Sequence, residues 1–133
     1  MLNTTNSLQS REPSISPLEE LLETLPLRHR IIVALAYFTS SKIEDVLSLQ
    51  QKDITSTTVF IRDSNTRKVK KSKITARLRP YLTVYLNGKE LQKSNFLFTD
   101  RAGKPLKSFQ VFKVLEAVAK SINFPDVYLF ILR

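Results

Sequence analysis

The stretch FTSSKIEDVLSL, Phe38 to Leu49, decides how the chain is read. It has the form of a helix end, a turn and a second helix start. Ser41 is placed to cap the second helix, with Glu44 three residues on to complete a capping box. Lys42 then falls at the first helical position. A helix N-terminus carries partial positive charge and favours anions, so a cation there is locally mismatched. Either an external anion makes the lysine favourable, or Glu44 and Asp45 balance a surface lysine.

Working outward, Ser16-Pro17 reads as an N-cap followed by proline at N1. Leu18, Leu21, Leu22 and Leu25 share one helical face, and Pro26 closes that helix. Residues 1–16 are polar, mixed in sign and without periodicity, and are expected to form a flexible leader to a single domain over 17–133. A second helix is expected from Leu27 to Phe38, burying Leu27, Ile31, Ala34, Leu35 and Phe38. His29 lies between Arg28 and Arg30, off that face, and is expected to be a solvated surface histidine. The third helix starts at Lys42 and buries Ile43, Val46 and Leu47. Glu44 and Asp45 sit on its exposed turn as capping and charge-balancing acids, as do Glu19 and Glu20 on the first helix.

Beyond Gln51 the period changes. Thr57 to Asp63, TTVFIRD, is β-branched and aromatic and reads as a strand; Ser64 to Arg67, SNTR, has turn chemistry; Lys68 to Thr75, KVKKSKIT, is the return strand. A short strand is expected beside them near Asp53-Ile54-Thr55. A fourth helix covers Arg77 to Leu86, with Pro80 in its first turn and Leu78, Tyr81, Leu82, Tyr85 and Leu86 inward, and Asn87-Gly88 ends it. Phe96-Leu97-Phe98 is a short apolar piece and Asp100 to Pro105 a turn. Ser108 is expected to cap a fifth helix that buries Val111, Phe112, Leu115, Val118, Ala119 and Ile122. Helices, hairpin, helices is the order of an α+β domain, mostly helical with a small antiparallel sheet of two or three strands.

Composition narrows the function. The chain of 133 residues carries 21 Lys+Arg against 12 Asp+Glu, a net charge of +9, and 42% apolar residues. That is enough apolar content for one packed domain, and its basic balance points to a polyanion, nucleic acid first. No cysteine and one histidine argue against a thiolate or histidine metal site, and the longest apolar run, Ile31 to Phe38, is too short to span a bilayer. No glycine-rich phosphate loop, GxSxG, HExxH or CxxC is present. The sequence thus carries no sign of a cofactor, a metal, a membrane or a small-molecule substrate.

The charge is concentrated. Arg62, Arg67, Lys68, Lys70, Lys71, Lys73, Arg77 and Arg79 lie within eighteen residues, with Asp63 the only acid among them. Such a ribbon gains nothing in stability from its own charges, and a phosphate backbone would relieve their repulsion and release counterions. The other reading is a solvated edge hairpin whose lysines block strand-to-strand aggregation.

Four stretches together resemble the catalytic domain of tyrosine recombinases, the phage integrase family. Ala36 to Ile54, AYFTSSKIEDVLSLQQKDI, is similar to the family's T-G-x-R-I-x-E box followed by L-x-L and D-I. The hairpin VFIRDSNTRKVKKSKIT, Val59 to Thr75, follows in place. Phe96 to Val118 resembles the L-F-x-x-x-x-G-x-P-L segment and its helix, and Leu129 to Arg133, LFILR, the approach to the H-x-x-R box. The resemblance implies an integrase-catalytic-domain-like fold, incomplete at the C-terminus. It implies double-stranded DNA and other recombinase protomers as partners, in a cytoplasmic, nucleoid or plastid-like DNA compartment. In that family two arginines, a hairpin lysine and a histidine clamp the scissile phosphate while a tyrosine attacks it, with no metal or nucleotide.

By that resemblance Lys42 and Arg133 are the candidate catalytic residues. Lys42, Arg62, Arg67, Lys68, Lys70, Lys71, Lys73, Arg77 and Arg79 are the candidate DNA-binding ones. This sequence departs from the pattern at several of its positions. Lys42 replaces the first arginine, Ser40 a glycine, Asn65 the hairpin lysine and Phe130 the histidine, while Arg133 matches. Tyr37, Tyr81 and Tyr85 read as core positions, and Tyr128 stands too near Arg133 to match the nucleophile. Lys68 or Lys70 is a substitute for the hairpin lysine. The expected function is DNA binding related to site-specific recombination and integration, without strand cleavage of its own. The alternative is a helix-turn-helix regulator with Lys42 near the start of a recognition helix. An RNA-binding accessory protein is a third reading.

Overall fold

The structure, a computed structural model, describes residues 16–87 and 95–125. The described residues form helices α1 (Pro17–Thr24), α2 (Leu27–Phe38), α3 (Ile43–Leu47), α4 (Arg79–Asn87) and α5 (Ser108–Ser121) around a hairpin of β1 (Thr58–Arg62) and β2 (Val69–Lys73). The α+β, mostly helical architecture expected from the sequence is the one observed.

The centre is α2. Its run Ile31 to Ala36 is buried on every side, because α1, α3, α4 and α5 all pack against it. A helix apolar all round is a core helix rather than an amphipathic one. Phe38 is half-buried, and Leu27, expected inside, is 43% exposed in the first turn. His29 is not the solvated residue the sequence suggested. It is half-buried, its Nδ1 has no hydrogen-bond partner, and burial followed by the nearby Arg28 charge lowers its pKa.

Helix α1 starts as expected, with Ser16 Oγ accepting from the Glu19 N–H and Glu19 Oε1 accepting from the Ser16 N–H, both at 3.2 Å. Leu21, Leu22 and Leu25 are buried and Leu18 packs partly against them. The starts of α5 and α4 differ from expectation, by one residue and by two. The N-cap of α5 is Lys107, whose N–H bonds the Gln110 side chain at 3.1 Å, so Ser108 is the first helical residue instead of the cap. Helix α4 begins at Arg79, leaving Arg77 outside it.

Helix α5 is capped at its C-terminus by Ile122, with Asn123 in the left-handed region at φ 58° and the Phe124 N–H reaching the Ala119 carbonyl at 2.8 Å. This is a Schellman closure, with asparagine at the position that glycine usually fills. Gly103, at φ 82°, lets the turn from Asp100 fold back so that the Asp100 N–H meets the Lys104 carbonyl at 2.8 Å. The core closes with Leu97 and Phe98, both buried, and with Tyr85, whose hydroxyl donates to the Leu97 carbonyl at 3.1 Å.

The hairpin is antiparallel, with Val59 opposite Ser72, Phe60 opposite Lys71, Ile61 opposite Lys70 and Arg62 opposite Val69. Val59 and Ile61 face the core, which places Ser72 and Lys70 on that same side and Lys71 and Lys73 on the other. No third strand lies beside it among the described residues. The expected strand near Ile54 reduces to a single bridge with Val59, after a short 3₁₀ turn at Gln51–Asp53.

Candidate nucleic-acid interface

The turn between α2 and α3 organises the site. Thr39 is the C-cap of α2, and Ser40 follows it at φ 55°, in the left-handed region. The Ser41 N–H bonds the Ala36 carbonyl at 2.8 Å and the Ser40 N–H bonds the Tyr37 carbonyl at 3.2 Å. This too is a Schellman motif, with serine where the fold favours glycine. Ser41 does not cap α3. The Thr39 hydroxyl bonds both Ser41 Oγ, at 2.9 Å, and the Leu35 carbonyl, at 2.6 Å, which turns the Ser41 side chain back into the buried turn. The N-cap of α3 is Lys42 itself, in an extended conformation with no side-chain capping bond. The lysine therefore stands one position earlier than the sequence suggested, exposed at the mouth of the helix.

Asp45 is the second correction. It is 5% exposed rather than on an open face, and its Oδ1 accepts a hydrogen bond from the Ser64 N–H at 3.2 Å. This contact fastens the hairpin turn to α3. The turn is shaped from within by Asp63, whose Oδ1 accepts from the Asn65 N–H at 2.7 Å and the Thr66 N–H at 3.0 Å. Those two bonds hold the Asp63 carboxyl below its usual pKa, and the charges of Lys42 and Lys70 act in the same direction. The lysine of the α3 mouth and a lysine of β2 thus stand close enough to one hairpin-turn carboxylate to act on it together.

Lys70 is tied down. Its Nζ donates to the Thr39 carbonyl at 2.6 Å and the Ser40 carbonyl at 3.0 Å, the carbonyl end of α2. A cation is favourable there because the helix C-terminus carries partial negative charge.

The rest of the basic cluster divides among several surroundings. The Arg77 guanidinium lies 4.9 Å from the centre of the Phe38 ring, which stacks at 6.5 Å on Tyr81. Arg77 therefore borders the α2–α3 turn. Arg79 donates to the Ser56 carbonyl at 3.0 Å, at the other end of the ribbon. Arg62 donates to the Arg67 carbonyl at 3.2 Å, and Arg67 holds a left-handed φ of 64° in the turn. Every residue of the cluster is exposed, Lys70 included, so what separates them is which groups their charged ends meet. By register Lys71 and Lys73 face away from Lys70, on the side where Phe60, Arg62 and Val69 join Lys52 around a shallow cleft of about 180 Å³. The cationic ribbon is two-sided instead of one continuous cradle, with Lys42, Lys70 and Arg77 grouped at the α2–α3 turn. Arg133, Phe130 and Tyr128 lie outside the described residues.

Of the tyrosines read as core, Tyr85 is buried and Tyr81 half-buried, but Tyr37 is 44% exposed, its ring edge-on to Phe38 at 5.2 Å. The recognition-helix alternative needs a protruding helix after Lys42. Helix α3 is five residues long and buries Ile43, Asp45, Val46 and Leu47, so it does not supply one. The sequence reading missed the role of Asp45. The signal available was its place at the acidic position of the T-G-x-R-I-x-E pattern.

The family model described as the phage integrase family matches residues 12–127, most of the chain. The chain belongs to the phage integrase family. Its fold is similar to the catalytic core of lambda integrase, with a TM-score of 0.61 and 14% identity over 78% of this chain and 65% of that one. It is similar to the XerH site-specific recombinase in a pre-cleavage complex with its difH substrate, with a TM-score of 0.65 and 21% identity over 81% of this chain and 36% of that one. It is also similar to XerA recombinase, with a TM-score of 0.67 and 14% identity over 85% of this chain and 44% of that one. The chain thus spans from about one third to just under two thirds of the length of these structures. No curated protein matches it in sequence. Among the described residues no helix is long and apolar enough to cross a membrane.

Proposed function

We propose that this member of the phage integrase family binds double-stranded DNA through Lys42 and the exposed cations of the hairpin, without cleaving strands on its own. The observation that carries the reading is the joint placement of Lys42 and the hairpin turn. Lys42 stands at the mouth of α3, and Asp45 in that same helix holds the hairpin turn through Ser64. An exposed cation at a helix N-terminus is unfavourable by itself and becomes favourable once a phosphate sits between the two. The relatives' association with DNA, in lambda integrase bound to a Holliday junction and XerH bound to difH, supports the same class of ligand. Other recombinase protomers are the further partners this reading includes; one of those relatives is a tetramer.

The absence of cleavage rests on residues inside the site. Lys42 keeps a charge but not the planar two-oxygen grip of arginine, and Asn65 at the hairpin tip carries no charge where the family pattern has lysine. Loss of one preorganised donor typically costs on the order of 10²–10³ in rate, and here two are altered. Fluorescence anisotropy with a labelled duplex across a salt series tests binding, with affinity expected to fall steeply as salt rises. A salt-insensitive or undetectable interaction contradicts the binding role. A covalent protein–DNA adduct on a nicked suicide substrate contradicts the inactive reading.

A further inference from the structure

We infer that Lys70 is a positioning residue of the hairpin and not one of its phosphate ligands. The inference deepens the DNA-binding reading and rests on it for its last arm only. Lys70 lies opposite Ile61, so its side chain leaves the ribbon on the core-facing side, whereas Lys71 and Lys73 leave on the other. Its ammonium makes two contacts, 2.6 Å to the Thr39 carbonyl and 3.0 Å to the Ser40 carbonyl. The first is the C-cap carbonyl of α2 and the second belongs to the left-handed residue just beyond it. An ammonium has three N–H donors, so two are spent on the α2 terminus.

The consequence is mechanical. Thr39 and Ser40 lead directly into Lys42, so Lys70 joins β2 to the backbone that carries the exposed lysine. Asp45 and Ser64 make a second joint between α3 and the hairpin turn. Two joints on either side of the turn fix the ribbon's angle against the mouth of α3. A residue of this kind acts on DNA through others. Its removal should loosen the register between Lys42 and the hairpin without subtracting a phosphate contact.

Three measurements on the full chain test this. Limiting acylation of the free protein with an amine reagent, read by mass spectrometry, should modify Lys70 several-fold more slowly than Lys68 and Lys71; equal rates overturn the assignment. Hydrogen exchange at the Ser40 and Ser41 amides should quicken about two- to fivefold in Lys70→Met, the loss expected for a cation at a helix C-terminus, and return in Lys70→Arg. Unchanged exchange overturns it. In DNA binding, Lys70→Met should weaken affinity while leaving the logarithmic salt slope as in the parent, and Lys70→Arg should restore affinity. A slope reduced by about 0.9 in Lys70→Met identifies a direct phosphate contact and overturns the inference. Failure of every variant and the parent to bind DNA counts against the binding role alone, because the acylation and exchange results stand without DNA. Should Lys70→Met not fold, acylation of the parent and the behaviour of Lys70→Arg decide the matter.

Discussion

The Asp45 carboxylate, buried in α3, accepts a hydrogen bond at 3.2 Å from the backbone N–H of Ser64, nineteen residues on in the hairpin turn. This contact couples the five-residue helix α3 to the turn of the hairpin. Bonds to a charged acceptor contribute more than neutral ones. Asp45→Ala should therefore destabilise the protein by about 1.5–3 kcal/mol. Chemical denaturation checks the magnitude. Hydrogen exchange should show the loss concentrated at residues 63–68, and a uniform loss with no local signature would count against the coupling.

Ser40 adopts φ 55° in a Schellman turn that favours glycine. The left-handed conformation costs a residue with a Cβ about 1–2 kcal/mol, part of which glycine returns through its looser unfolded state. Ser40→Gly is expected to raise stability by about 1 kcal/mol, and Ser40→Val to lower it by more than that. Thermal melts of the two variants side by side give the sign directly.

His29 is half-buried with an unpartnered Nδ1, and burial, then Arg28, lowers its pKa. The unfolded chain then binds the proton more readily than the folded one. The stability tied to neutral His29 is present above the unfolded value of about 6.5 and is lost as pH falls below it. The melting temperature should drop between about pH 7.5 and about pH 5.5. In His29→Leu that drop should shrink. An identical pH dependence in parent and variant rejects the assignment.

Tyr85 is pushed up to about 12 by burial, against a smaller opposing influence from Arg28. Its hydroxyl donates to the Leu97 carbonyl. Spectrophotometric titration should show a tyrosine that ionises well above the ordinary phenol value, and Tyr85→Phe should remove that phase. The same variant leaves the carbonyl short of a donor and is expected to cost about 0.5–1.5 kcal/mol.

Lys42 is exposed at the mouth of α3. If it meets a phosphate, Lys42→Ala should lower the logarithmic salt slope of DNA binding by about 0.9, and Lys42→Arg should keep the slope. Lys42→Ala should also leave the fold intact, or gain slightly in stability, because it relieves an unfavourable charge at a helix N-terminus. A large loss of stability in Lys42→Ala would assign the residue a structural role instead.

The sequence by itself determined the class and order of the elements. Hydrophobic periods of 3.6 and 2, a Ser-Pro helix start and a turn-rich break between β-branched runs are local signals, and they survive because each is written within a few residues. The same holds for the cationic content of the hairpin and for the Lys42, Ser40 and Asn65 departures from the family pattern. Tertiary structure alone decided from which face of the ribbon each charge leaves and which charges are occupied. Lys70 and Lys71 are adjacent and chemically identical, yet pairing with Ile61 sends one to the end of α2, while pairing with Phe60 sends the other to the opposite face. Asp45 and Glu44 are likewise adjacent acids, and only the approach of the hairpin buries one of them against Ser64. The reason is range. Helix and strand periods arise from contacts three or four residues apart at most, whereas the partner of a lysine or an aspartate is set by residues 19 to 31 positions away. No local pattern encodes that distance.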